Sequence, residues 1–348
     1  MTTDRGGEGG ARLLWPDLAR GVCILLVVLL HADFGLAHIG ESDPWLHLLN
    51  RLLVPLRLPV FFLVSGMLGA SILARPAQMA LVHRVGRYGY LFVVWWLLQR
   101  GFETRLVSGL GPPEMQEFFA TPDSLWHLLT EDEDDHWFFY ALAVFFGLAL
   151  ASRRLQPALR MALALGLALP AAGMVGAAHG VPAFDWFYHF PWFMLGVTAA
   201  GRVRQVAPLL GRGAVLLPLG LAWVLASRLA LQVDPLLGNF SMAAVSLLAL
   251  PVGIGAAAWL AAHGGRWVAS MAMIGRNTMA IYALHPFVMQ VLFILLRRPP
   301  AVPAAAWVVL VAAGTALLSL LLGRFAVRIP GLFDLPPWPR LIRPRPVG

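Results

Sequence analysis

Arg20 and His31 lie eleven residues apart in the first long apolar stretch of the chain, LARGVCILLVVLLH, with only apolar residues and Gly21 between them. In a helix, eleven residues make three turns plus about 20°, so the two side chains share one face, roughly 16 Å apart along the axis. Arginine inside a bilayer costs at least ~2.5 kcal/mol, and a histidine in the same span needs a partner or water. A helix facing lipid therefore carries neither, and something polar must meet this face. The two groups offer different chemistry. An imidazole accepts and returns a proton near neutrality, whereas a guanidinium is a permanent cation whose planar fork fits phosphate and carboxylate oxygens.

Composition sets the elements that must hold these groups. The 348 residues are 59% hydrophobic and 13% charged, with a mean hydropathy of +0.73. Repeated apolar runs approach the ~20 residues needed to cross ~30 Å of hydrocarbon. They do not alternate as barrel strands would, and helices satisfy their own backbone groups in lipid. The expected fold class is all-α, a polytopic membrane bundle of about ten transmembrane helices at 17–37, 50–73, 82–100, 136–152, 158–178, 184–200, 213–232, 239–262, 276–296 and 303–323. All basic residues are arginines, and in this register most fall on the side of the two tails. A positive-inside reading makes both termini cytoplasmic. The expected division is an N-terminal tail 1–16, a membrane domain 17–325 and a Pro/Arg-rich tail 326–348, irregular and lying at the surface after Pro330. The polar, glycine-rich first twelve residues do not look like a cleavable signal, so the first span is expected to stay as an anchor.

The same residues exclude several function classes. The net charge of +8 does not point to nucleic acid, because the arginines are spread over loops where topology and anionic lipid account for them. Cys23 is the sole cysteine, which excludes an intrachain disulfide and a thiol metal cluster; no metal site is expected. Arg297 and Arg298 fall on the outer side and break the charge pattern. The longest outer loop, about 101–135, ends in Glu131, Asp132, Glu133, Asp134 and Asp135. This run is read as a solvated acidic start to the next helix, with a lid over an outer site as the alternative.

Several short stretches, in order, resemble one family, the membrane-bound acyltransferase-3 family of sugar and cell-envelope O-acyltransferases. WPDLARGVCILLVVLLH is similar to its first helix, an arginine and a histidine separated by ten residues, here Arg20 and His31. RLPVFFLVSGMLGAS resembles the second helix through Phe61, Phe62, Ser65 and Gly66. HRVGRYGYLFVVWW resembles the Arg-x-x-Arg start of the third through Arg84 and Arg87. HWFFYALAVFF is similar to the Trp-Phe start of the fourth, and IGRNTMAIYALHPFV to the late Gly, Tyr and Leu-His-Pro segment. Within the family, the chain looks like the small fucose 4-O-acetylase type, without a further soluble hydrolase-like domain.

The resemblance implies acyl transfer from acetyl-CoA or another acyl-CoA to a carbohydrate hydroxyl, in contact with membrane lipids, in the cytoplasmic membrane of a bacterium. It implies His31 and Arg20 as catalytic residues and Arg84 and Arg87 as the clamp for the donor's phosphates. Arg57, Trp137 and His285 then belong to the substrate pocket, with His136 a further candidate. Each has a plainer reading. His31 can be a buried histidine bonded to a carbonyl, and Arg20 can pair with Asp17 one turn earlier. Arg84 and Arg87, one turn apart, are also what charge topology demands at a cytoplasmic helix end. Asp33 is about 200° around the helix from His31 and does not orient it from there. Ser65 and Gly66 read as a close helix contact. Direct transfer with His31 as base and an acyl-histidine relay both fit, and a transporter or flippase for a lipid-linked glycan is the rival class.

Overall fold

Arg20 and His31 ride on a 24-residue helix, Trp15–His38 (α1). The computed structural model describes residues 13–38, 43–103, 136–174, 182–233, 235–296 and 301–336, and among these the regular elements are helices. After α1 come α2 (Pro44–Leu73), the single turn α3 (Ala77–Ala80), a π-helical segment Leu81–Gly86, α4 (Arg87–Phe102), α5 (Trp137–Ala151) and α6 (Pro157–Met174). A 3-10 segment Pro182–His189 leads into α7 (Phe190–Leu210), followed by α8 (Gly213–Ala230), α9 (Pro235–His263), α10 (Trp267–Arg276), α11 (Thr278–Leu295) and α12 (Ala304–Ala326). Among the described residues, six helical stretches are long and apolar enough to cross a membrane: 15–37, 44–73, 213–230, 240–263, 278–295 and 304–326; 137–151 and 157–171 are shorter apolar helices. The chain is an integral membrane protein.

Local chemistry explains several boundaries. Asp43 caps α2, its carboxylate accepting from the amides of Trp45 and Leu46 at 3.0 and 2.9 Å, and Pro44 fills the first turn, where no amide hydrogen is needed. Pro191 likewise opens α7. That helix starts later than the expected 184–200 span and runs on past its end to Leu210. The stretch before the ninth expected span is itself a helix, α10. Gly265, at φ 61°, turns the chain into it, and Asn277 breaks it from α11, its side-chain amide donating to the Met273 carbonyl at 2.8 Å.

The bundle closes around α1, which packs against α2, α9, α10, α11 and α12. Its core is aromatic. Phe145 meets Phe190 with centroids 4.9 Å apart, and Phe146 meets Phe193 edge-to-face at 4.9 Å, between α5 and α7. Outward, Leu217, Leu221 and Leu225 of α8 and Leu310, Leu317 and Leu321 of α12 are exposed, the apolar faces a lipid surface requires. Helices approach most closely at glycines. A β-carbon at Gly66 would run into the Phe193 carbonyl of α7, and one at Gly196 into the Leu63 carbonyl of α2, while Gly275 of α10 lies against the Asp17 carbonyl of α1. In lipid such backbone approach supplies the packing that holds helices together. Gly66→Ala is therefore expected to lower the thermal stability of the detergent-solubilised protein by at least ~2 kcal/mol. Gly89→Ala, where a β-carbon meets nothing within 4 Å, is the matched control and should leave the melting curve in place.

The tail after α12 is irregular, as expected, but does not lie wholly at the surface. Phe333 is only 7% exposed and packs on Trp95 of α4 with centroids 5.1 Å apart, and Trp95 donates its indole N–H to the Leu332 carbonyl at 3.0 Å. Aromatic burial holds the chain here despite the flanking prolines. The acidic run 131–135, Arg297, Arg298 and residues 337–348 lie outside the described residues.

Candidate active site

Two contacts between α1 and α11 bring the polar stripe to its partners. At the first, His31 Nδ1 lies 3.2 Å from His285 Nε2, with ring centroids 5.0 Å apart. His285 is fully buried, and its Nδ1 lies 2.7 Å from the Tyr282 carbonyl oxygen. A carbonyl only accepts, so His285 Nδ1 carries the hydrogen and donates it. In the neutral pair His285 Nε2 then holds a lone pair and accepts from His31 Nδ1–H, leaving the lone pair of His31 on Nε2. Tyr282 is tied down in turn, its hydroxyl accepting from the Phe138 amide at 2.9 Å. The chain Tyr282–His285–His31 thus assigns one tautomer to a half-buried imidazole.

At the second contact, Arg20 Nη2 donates to the Thr278 hydroxyl, and its guanidinium carbon sits 5.9 Å above the Phe61 ring. Arg87 reaches the neighbouring residue, with Nη2 3.9 Å from Met279 Sδ. Arginines from α1 and α4 therefore converge on successive residues of the first turn of α11. Asp17 and Arg276 form an ion pair at the same end, 3.7 Å apart.

Arg84 goes elsewhere, its guanidinium carbon 5.5 Å from the Phe146 ring of α5. The π-helical winding of 81–86 separates what an α-helix would have aligned one turn apart, and such segments recur at functional sites. Between the arginine end and the histidine pair, aromatic rings form a continuous series. Phe61 meets Phe138 at 5.0 Å, Phe138 meets Tyr282 at 5.4 Å, and Tyr282 meets His285 at 5.8 Å.

The remaining candidates occupy two flanking clusters. Arg57, 2% exposed, donates through Nη2 to the Asn50 carbonyl at 3.2 Å and to its side-chain oxygen at 3.4 Å. Asn50 donates to Asp33 at 2.8 Å, and Asp33 lies 4.0 Å from His47. Arg57, Asn50 and Asp33 are buried and His47 exposed, and the network lies across α1 from His31, Asp33 being two residues further along the helix. Trp137 stacks on His189 at 6.3 Å, which stacks on Phe62 at 5.3 Å. His136 is fully buried and donates from Nε2 to the Ala283 carbonyl at 3.0 Å, the plainer role of a core histidine.

A family model described as an acyltransferase domain matches residues 13–324, nearly the whole chain. The chain belongs to the acyltransferase-3 family. It is a membrane acyltransferase, and the matched region takes in both α1–α11 contacts and the flanking clusters. No curated protein and no solved structure matches it. Among the described residues no group of three or more His, Cys, Asp or Glu side chains is placed to hold a metal ion.

Thr278 and His189 carried no signal in the sequence. Thr278 matters because its hydroxyl receives Arg20, and a lone threonine after Arg-Asn is indistinguishable from a helix-start residue. His189 sits between aromatic runs, where a packing histidine has the same appearance.

Proposed function

We propose that this acyltransferase moves an acyl group, acetyl or a close homologue, from an acyl-CoA to a hydroxyl of a cell-envelope or lipid-linked carbohydrate, in the cytoplasmic membrane of a bacterium. The observation that carries the reading is the division of labour along α11: a base with an assigned tautomer on one side, and two arginines at its first turn. The donor's phosphates lie against Arg87, with Arg84 reaching them from the neighbouring π-helical turn on the Phe146 side, at the cytoplasmic ends of ten crossings whose two tails share that side. Arg20 links this clamp to the aromatic series along which the pantetheine arm extends. The acceptor comes from the opposite side, past Arg57 and Trp137.

In the reaction His31 Nε2 takes the proton of the acceptor hydroxyl as its oxygen forms a bond to the thioester carbonyl carbon. The tetrahedral intermediate collapses with cleavage of the carbon–sulfur bond, and His31 returns the proton to the leaving thiolate, giving the ester and free CoA. His285 is fully buried beside Tyr282 and His31 half-buried against it, so one side of the base is closed to water, which then competes less well with the sugar hydroxyl.

Purified protein incubated with acetyl-CoA alone should bind it and release free thiol slowly. Cys23 is the sole cysteine and is buried, so a thiol reagent reads released CoA against a low background. A transporter would release none, and that result would overturn the reading. Arg87→Ala combined with Arg84→Ala should raise the donor KM about 10- to 100-fold, as expected for losing hydrogen bonds between charged partners. An unchanged KM would return both arginines to topology alone.

A further inference from the structure

Arg87 already has an anionic partner. Its Nη2 donates to the Phe333 carbonyl at 2.9 Å, and its Nε lies 3.2 Å from Asp334 Oδ1. Phe333 and Asp334 belong to the segment following α12, which turns back at Gly331, φ 84°, against Tyr90 of α4. Two further contacts hold it: the Leu332 carbonyl on the Trp95 indole, and the Phe333 ring beside Trp95. The segment ends with one side chain buried and the next, Asp334, 75% exposed at the guanidinium.

We infer that residues 331–334 form an autoinhibitory strap over the donor clamp, which the phosphates of an acyl-CoA must displace. The inference rests on the reading of Arg87 as a donor contact. Asp334 opposes the donor twice, by occupying the guanidinium edge a phosphate would use and by repelling an anion that approaches it. The Asp334 carboxylate is exposed while Arg87 is half-buried, so the carboxylate side of the pair is solvated and screened by salt, and a ligand with several phosphate charges can displace it. The Phe333 ring stays anchored on Trp95, and the Phe333 carbonyl and the Asp334 carboxylate are the groups that leave Arg87.

The test uses the full-length protein in detergent or nanodiscs, with desulfo-CoA as a non-reactive donor mimic. Asp334→Asn should tighten desulfo-CoA binding about three- to tenfold, and a chain ending at Arg328 should tighten it at least as much. In a Leu335→Cys variant, where Cys23 is buried, desulfo-CoA should speed maleimide labelling at position 335 several-fold. A purely structural strap would lower the melting temperature of Asp334→Asn and leave the affinity as it was. Binding of equal strength in wild type and Asp334→Asn, with labelling unaffected by ligand, would overturn the strap and leave the donor reading standing. No binding by wild type, Asp334→Asn or the shortened chain would overturn the donor reading and the strap with it. Binding by Asp334→Asn alone would mark the strap as a tight block and support it.

Discussion

His31→Ala is expected to lower the acyl-transfer rate by about 10²- to 10⁴-fold, the usual contribution of a positioned general base, while the protein still inserts, folds and binds acetyl-CoA. The imidazole is half-buried, and its place is fixed by a partner on another helix, so its removal takes away proton transfer without opening the aromatic core. Three measurements on the same preparation separate the outcomes. Transfer to acceptor should collapse, the donor dissociation constant should stay within about twofold, and the melting temperature should move by a few degrees at most. Thiol release from acetyl-CoA without acceptor should fall in step, because attacking water needs the same base. Retained transfer by a folded His31→Ala protein would remove His31 from the chemistry and leave the histidine pair as packing.

The stripe on α1 was legible because two polar side chains inside an apolar run carry an energetic penalty that demands a partner. Neither helix periodicity nor spacing named that partner. His285 is 254 positions away, and its claim rested on a short Leu-His-Pro resemblance that does not say which side chain it meets. The long apolar runs were equally legible as helices, since backbone groups in lipid leave no other choice. Their ends were less so. α10 follows Gly264, Gly265 and Arg266 and ends at Arg276, just before Asn277, features that in a single sequence read as a loop. The divergence of Arg84 from Arg87 was hidden for a different reason. It depends on a π-helical winding set by packing against α5, while the Arg-x-x-Arg spacing alone implies one shared face. The prolines of the tail foretell its irregular backbone, but nothing in their spacing says that Phe333 is buried.

Replacing His285 with phenylalanine should lower kcat by about 10- to 100-fold and leave the donor KM nearly unchanged, in line with losses when a partner that fixes an imidazole tautomer is removed. His285 touches neither substrate in this reading. It acts by accepting from His31 Nδ1–H while its own Nδ1–H is held by the Tyr282 carbonyl, so the proton-accepting nitrogen of His31 is Nε2. Phenylalanine keeps the ring and its contact with Tyr282 but offers no acceptor, and His31 is free to turn or to carry its proton on the wrong nitrogen. His285→Gln supplies a carbonyl oxygen near the position of Nε2, and should restore several-fold of the lost kcat. That rescue distinguishes orientation from packing, because glutamine fills the site less well than phenylalanine does. If both variants lost activity equally and melted at lower temperature together, His285 would be a core residue that happens to adjoin the base. If neither changed kcat, the tautomer of His31 would have to be set by a group other than His285.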